Sequence, residues 1–163
     1  MDVDVLLCDH AQVAGKLFIS GANIDRFAFP ANSPAPYLLT FALAGVVHVP
    51  FTATNTPHEL AFTIVTEDGH PPALRSTAPG EQTSASPIGG AVQFNIGRPP
   101  TLGSGQEQLV PFAFTFQALP FAAVGRYLVQ LTLDDVPVRG VPFTVHVEQA
   151  AGFRAPPAQG PVP

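Results

Sequence analysis

Along most of this chain the bulky apolar residues fall on every second position, and that spacing restricts the fold more than any other feature. Tyr37, Leu39, Phe41, Leu43, Val47, Val49 and Phe51 alternate with a lighter set that includes Thr40, Ala42 and Ala44. Leu60, Phe62 and Ile64 alternate with Glu59, Ala61 and Thr63, and Val92, Phe94 and Ile96 with Gln93 and Asn95. The pattern returns in Tyr127, Val129, Leu131 and Leu133, and again in Val141, Phe143, Val145 and Val147. Successive side chains of a strand point to opposite faces, so a period of two makes one face apolar; on a helix the same residues would scatter around the axis. Each segment reads as a half-buried strand.

The row Phe112, Phe114 and Phe116 poses a choice. An exposed aromatic row suits a sugar or a base, but every neighbouring strand carries an apolar face that needs cover, which places this row in a dry interior between sheets. Glycine and proline cluster where the alternation stops. Turns are expected at Ala14-Gly15, at Asp68-Gly69, where Asp-Gly is a hairpin signal, and at Asp134-Asp135 between the last two strands. No helical periodicity of ten residues occurs. The expected fold is all-β, an antiparallel β-sandwich of about eight strands, immunoglobulin-like or C2-like. Gly125, two residues before Tyr127 at the start of a late strand, resembles the tyrosine corner of such sandwiches.

A chain of 163 residues fits one domain with a core of its own. Residues 1–148 are expected to form it. Residues 149–163 are proline-rich and lack apolar periodicity, which predicts a disordered tail, or an extended peptide anchored by Phe153 and Arg154. Seven Lys and Arg against twelve Asp and Glu give a formal charge of -5, so no basic field exists to attract nucleic acid or anionic lipid. The apolar stretch 36 to 51 contains His48 and is shorter than the roughly 20 residues of a membrane helix, so no membrane partner is expected. The opening "MDVDVLLCDH" has aspartates where a secretory leader is basic, and Cys8, the single cysteine, cannot form an internal disulfide. A cytoplasmic location follows as an expectation.

Chemistry-bearing constellations are sparse. His48 and His58 flank one connection and would approach each other if it closed a hairpin, yet zinc or copper would need a third ligand; His10, His70 and His146 match no metal spacing. Cys8, Asp9 and His10 are adjacent, and neighbours on a strand point to opposite faces, so Cys8 reads as a buried structural thiol. Glu67-Asp68 and Asp134-Asp135 resemble the loop aspartates of calcium-binding sandwiches, but they lack an Asp-x-Asp set and are explained by turn formation. Nucleophile-elbow, phosphate-loop and metalloprotease motifs are missing, so no enzyme and no cofactor are expected.

Two connections, 68–90 and 97–108, are longer than ordinary loops, and recognition is expected there. Arg98, Pro99, Pro100, His70 and Arg75 are the candidate ligand or partner contacts, and Leu74-Arg75 is a candidate short edge strand.

The segments "VDVLLCDHAQVAGKLFISGANIDRF", "TEDGHP", "FNIGRPPTLGSGQEQLVPFAFTFQALPF" and "GRYLVQLTLDDVPVRGVPFTV", in this order, resemble a family of small bacterial proteins known as a domain of unknown function. Its most distinctive pieces here are Cys8-Asp9 with Ala11-Gln12, and Gly97-Arg98-Pro99-Pro100; the connection 68–90 departs from the compact family pattern. The resemblance covers roughly residues 2 to 147 and implies a single β-sandwich domain with no activity to carry over.

A non-catalytic interaction protein is therefore expected, contacting a protein partner or its own copies through loops or edge strands, since low surface charge gives little protection against association. The alternative is a carbohydrate- or small-molecule-binding module that uses loops 68–90 and 97–108, with Arg98 as a polar anchor.

Overall fold

The alternating segments pair into two sheets in the computed structural model, which describes residues 1–75 and 83–148. In chain order the strands are β1 (Asp2–Val13), β2 (Leu17–Ala22), β3 (Arg26–Phe29), β4 (Tyr37–Pro50), β5 (Pro57–Thr66), β6 (Ala73–Arg75), β7 (Thr83–Ala85), β8 (Ile88–Asn95), β9 (Glu107–Phe121), β10 (Gly125–Leu133) and β11 (Val136–Val147). One sheet runs β2-β1-β4-β9-β6-β7 and the other β3-β11-β10-β5-β8. All pairings are antiparallel except that of β3 with β11, which is parallel. Among the described residues the strands number eleven rather than about eight. The three that sequence reasoning passed over or held as a bare candidate, β3, β6 and β7, are too short to display an alternation. Residues 149–163, with Phe153 and Arg154, lie outside the described residues.

Both sheets turn their bulky alternate residues inward. Phe41, fully buried on β4, meets Phe27, Phe116 and Phe143 at ring-centroid distances of 5.4, 4.7 and 5.9 Å. Phe62 on β5 meets Phe114 at 4.7 Å and Phe116 at 5.4 Å. Tilted and edge-on contacts of this kind add to the area term of burial. The phenylalanine row of β9 is thus interior, as its neighbours' apolar faces require, although Phe114 and Phe116 are only half-buried.

The lighter face of β4 departs from the sequence reading. Ala42 and Ala44 are fully buried there with Cys8 and Ala11, against Leu6, Leu17 and Ala113. β1 pairs with β4 only as far as Cys8, after which the β1–β2 hairpin lies across the outer face. Small side chains let it approach closely, so Ala here marks a second contact layer rather than a solvent face.

Two of the three expected turns join hairpins. Ala14 to Lys16 link β1 and β2, and Asp134 and Asp135, at φ 51° and 64°, make the two-residue link between β10 and β11, matching the right-handed strand twist as primed turns do. Asp68-Gly69 turns the chain, with Gly69 N–H donating to the Thr66 carbonyl at 2.9 Å, but joins no hairpin. Both edges of β5 are already occupied, by β10 and β8, so the chain crosses to the other sheet as β6.

Tyr127 is buried at the start of β10, and its hydroxyl donates to the Ala123 carbonyl at 2.7 Å, closing the corner over the β9–β10 connection. Tyr127→Phe removes that bond and nothing else of substance. A loss of about 1 kcal/mol is expected in a urea titration, the usual net value of one such bond; an unchanged midpoint would mean that the corner does not hold the connection.

Candidate functional site

Among the described residues β9 is the longest strand, and although it lies inside its sheet it is paired on only one side over most of its length. β4 covers one side along nearly its whole length, while on the other side β6 meets it only at Leu74 opposite Phe121. Among the described residues, none pairs with residues 107–116 on that side, which leaves them a free sheet edge. The chemistry of that edge follows from Pro111, which has no N–H and sits opposite Val46. In an antiparallel ladder the N–H and C=O of one residue point to the same side and alternate along the strand, and a strand proline turns its nitrogen away from the ladder. Leu109, Ala113 and Thr115 share that direction, so their N–H groups face outward, with a donorless gap at Pro111.

Beside this edge the sandwich is open. The Phe62 contacts set β5 over β9, so β8, the next strand of its sheet, reaches past β9 with no described strand opposite it at Val92 and Phe94. The result is an apolar groove of about 260 Å³, bordered by Leu60, Val92, Phe94, Val110, Phe112 and Phe114, with Val13 of the β1–β2 hairpin at its rim. Val13 and Val92 remain exposed at its border. Half-burial of Phe114 has the same origin.

A polar cluster closes the end of the sandwich next to the groove. His58 Nδ1 lies 2.8 Å from Asp134 Oδ2, and Nε2 lies 2.7 Å from the Ala53 carbonyl oxygen. Thr56 Oγ1 stands 3.1 Å from the same Nε2, so the three side chains outline a nucleophile, a base and an acid. The hydrogen bonds defeat that likeness. Nε2 must donate to Ala53, and the Thr56 hydroxyl donates to the same carbonyl at 2.8 Å, which leaves no lone pair on the imidazole to take the hydroxyl proton.

Arg98 belongs to this cluster. Its Nε donates to Thr54 Oγ1 at 2.8 Å, its Nη2 to the Phe51 carbonyl at 2.9 Å, and the guanidinium stacks 3.9 Å from the Phe51 ring centroid. The side chain pins the connection after β8 to the short 3-10 turn Phe51–Ala53. The other candidate contacts do not gather around it. Pro99 and Pro100 are exposed on the same connection, His70 is exposed at the turn after β5, and Arg75 reaches the Ala35 carbonyl from β6.

The two histidines of the β4–β5 connection do not approach each other, because that connection crosses between sheets instead of closing a hairpin. His48 is held on the outer face between Asp4 Oδ2 and Glu107 Oε2, both at 3.0 Å. The Glu107 bond, then the Asp4 bond, raise its pKa above the ordinary histidine value. No group of three or more His, Cys, Asp or Glu among the described residues is arranged to hold a metal ion. Cys8 is fully buried with its Sγ toward the Ala42 carbonyl, and burial, then the Asp9 charge, push its thiol pKa up. That is the environment of a packing residue. Glu67 pairs with Arg126 at 2.8 Å, and Asp134 bonds His58 and the Glu59 N–H. No helix among the described residues is long and apolar enough to cross a membrane.

Sequence reasoning missed the β9 edge and the His58–Asp134 pair. Pro111 inside the phenylalanine row was the available signal for the first, since a strand proline marks an edge. The second joins residues 76 apart in sequence and has no local signal. A model of a family of unknown function, DUF6941, matches residues 4–146. No curated protein matches the chain.

Proposed function

The chain belongs to DUF6941, a family of unknown function, and we propose that it is a non-catalytic interaction protein that accepts an added strand, from a protein partner or a second copy, along the free edge of β9. The observation that carries this reading is the coincidence of outward backbone donors at Leu109, Ala113 and Thr115, which no described strand takes up, with the apolar groove beside them. Main-chain bonds supply affinity in strand addition, and pockets for alternate side chains supply selectivity. Pro111 limits indiscriminate pairing, as edge prolines do. We also read the sandwich as immunoglobulin-like, a reading supported by the Tyr127 corner. The lone buried thiol suits a reducing compartment such as the cytoplasm.

Sedimentation across a range of concentrations, with pull-down from a lysate as its second arm, tests the proposal. A dimer or a recovered partner is expected. Thr115→Pro deletes an outward donor without touching the β4 ladder, and should weaken the association by about tenfold, the equivalent of one backbone bond. A strict monomer at high concentration with no partner recovered, or association indifferent to Thr115→Pro, contradicts it.

A further inference from the structure

Resting on the strand-docking reading, we propose that His58 is a proton-operated latch on the Phe94 wall of the groove. His58 stands directly opposite Phe94 in the β5–β8 ladder, with ring centroids 5.6 Å apart. The next inward pair, Leu60 and Val92, borders the groove itself. The polar end of the molecule and the apolar groove are therefore one continuous row of cross-strand pairs.

The latch follows from hydrogen-bond geometry. Both imidazole nitrogens face acceptors at 2.7 and 2.8 Å, a backbone carbonyl and a carboxylate. Neither has a proton to give, so the ring holds both protons and bridges the 3-10 turn to the β10–β11 turn. Removing one proton sets a nitrogen lone pair against an oxygen. The ring, almost wholly enclosed, then has to turn or withdraw, and Phe94 is the surface it turns against.

The charged groups around the ring come from every neighbouring element. Asp134 and Asp135 belong to the β10–β11 turn, and Glu59, next on β5, holds Asp134 through its N–H and bonds Gln93 through its carboxylate. Arg98 grips Phe51 and Thr54 of the same connection, and the Met1 ammonium opposes protonation. Burial works to lower the His58 pKa, but the Ala53 bond, the Asp134 bond and the Asp134 charge outweigh it, and the value rises above the ordinary one. The Glu59 N–H, with a further contribution from His58, lowers that of Asp134. A raised folded-state value means that the latch is complete below the unfolded histidine pKa of about 6.5 and is lost as pH rises through the folded value. At the acid end it is lost as pH falls through the depressed value of Asp134.

Nitrogen-15 NMR of the full chain across this range is the test. Both ring nitrogens of His58 should be protonated below the unfolded histidine value of about 6.5, and the Val92 methyl and Phe94 ring signals should move with the His58 midpoint. Asp134→Asn keeps a residue that tolerates the left-handed turn and should lower both midpoints together, by about one pH unit. A ring still singly protonated below about pH 6.5, or Val92 and Phe94 signals that stay still while His58 titrates, would overturn the latch. A chain that never associates would sink the docking reading and leave these signals as they are, so the two failures are distinguishable.

Discussion

Phe41→Ala should lower the unfolding free energy by about 3 to 5 kcal/mol, read as a fall in the urea midpoint at unchanged slope. Phe41 has no exposed surface and touches aromatic rings from β3, β9 and β11 at once. Truncation removes the apolar area and leaves a cavity whose walls are held by strands of both sheets. Collapse is hard there, because closing the void needs β4 and β11 to move together. Leu38→Ala, three residues earlier on the same strand and facing solvent, is the matched control and should stay within about 0.5 kcal/mol. Equal midpoints for the two variants would mean that the alternate residues of β4 do not separate an interior from a surface.

That contrast also measures how much the chain discloses about itself. Period-two alternation announces β4, β5, β10 and β11 and the inward row of β9, because each is long enough for several side chains to vote on one face. β3 escapes the same test: four residues hold only Phe27 and Phe29 inward, and its parallel partner β11 lies more than a hundred residues away. Ala42 and Ala44 mislead for a different reason. A small residue is compatible with a solvent face and with a tightly covered one, and only the β1–β2 hairpin, folded back over them, decides. Turns are local and readable, whereas the partner of the strand that follows is not. Asp68-Gly69 turns as its residues dictate, and the ladder it was expected to start is already filled by β8. The candidate site lies almost wholly on the unreadable side. His58 with Asp134, and His48 with Asp4 and Glu107, are assembled from distant strands, and Arg98 is visible as a loop arginine without any sign that its guanidinium grips Phe51 and Thr54. The free edge of β9 is a property of what does not pair with it among the described residues, and Pro111 is its one local mark in the sequence.

Gly45→Ala should be as damaging as the loss of a core phenylalanine, although it adds one methyl group and removes nothing. Gly45 lies in β4 between Val5 of β1 and Phe112 of β9. A Cβ at this position would overlap the Asp4 carbonyl oxygen and come within 2.9 Å of Phe112 Cζ. The first obstacle is backbone, so relief requires β1 to move away from β4. A shift of β1 then pulls Asp4 off His48 and disturbs the closely packed alanine layer around Cys8. Overpacking of a close-packed site typically costs 1 to 3 kcal/mol, and a clash that no side-chain rotation can relieve belongs at or above about 3 kcal/mol. Gly103→Ala supplies the comparison, since its nearest neighbour would be the Gln106 side chain at 3.5 Å. That variant should be near neutral. The His48 ring resonances give an independent readout, because they should shift in Gly45→Ala through the displaced Asp4 and stay fixed in Gly103→Ala. If Gly45→Ala left both the urea midpoint and those resonances unchanged, β1 would not be seated against β4 in this register, and the carboxylate–imidazole–carboxylate bridge across the three strands would have to be redrawn.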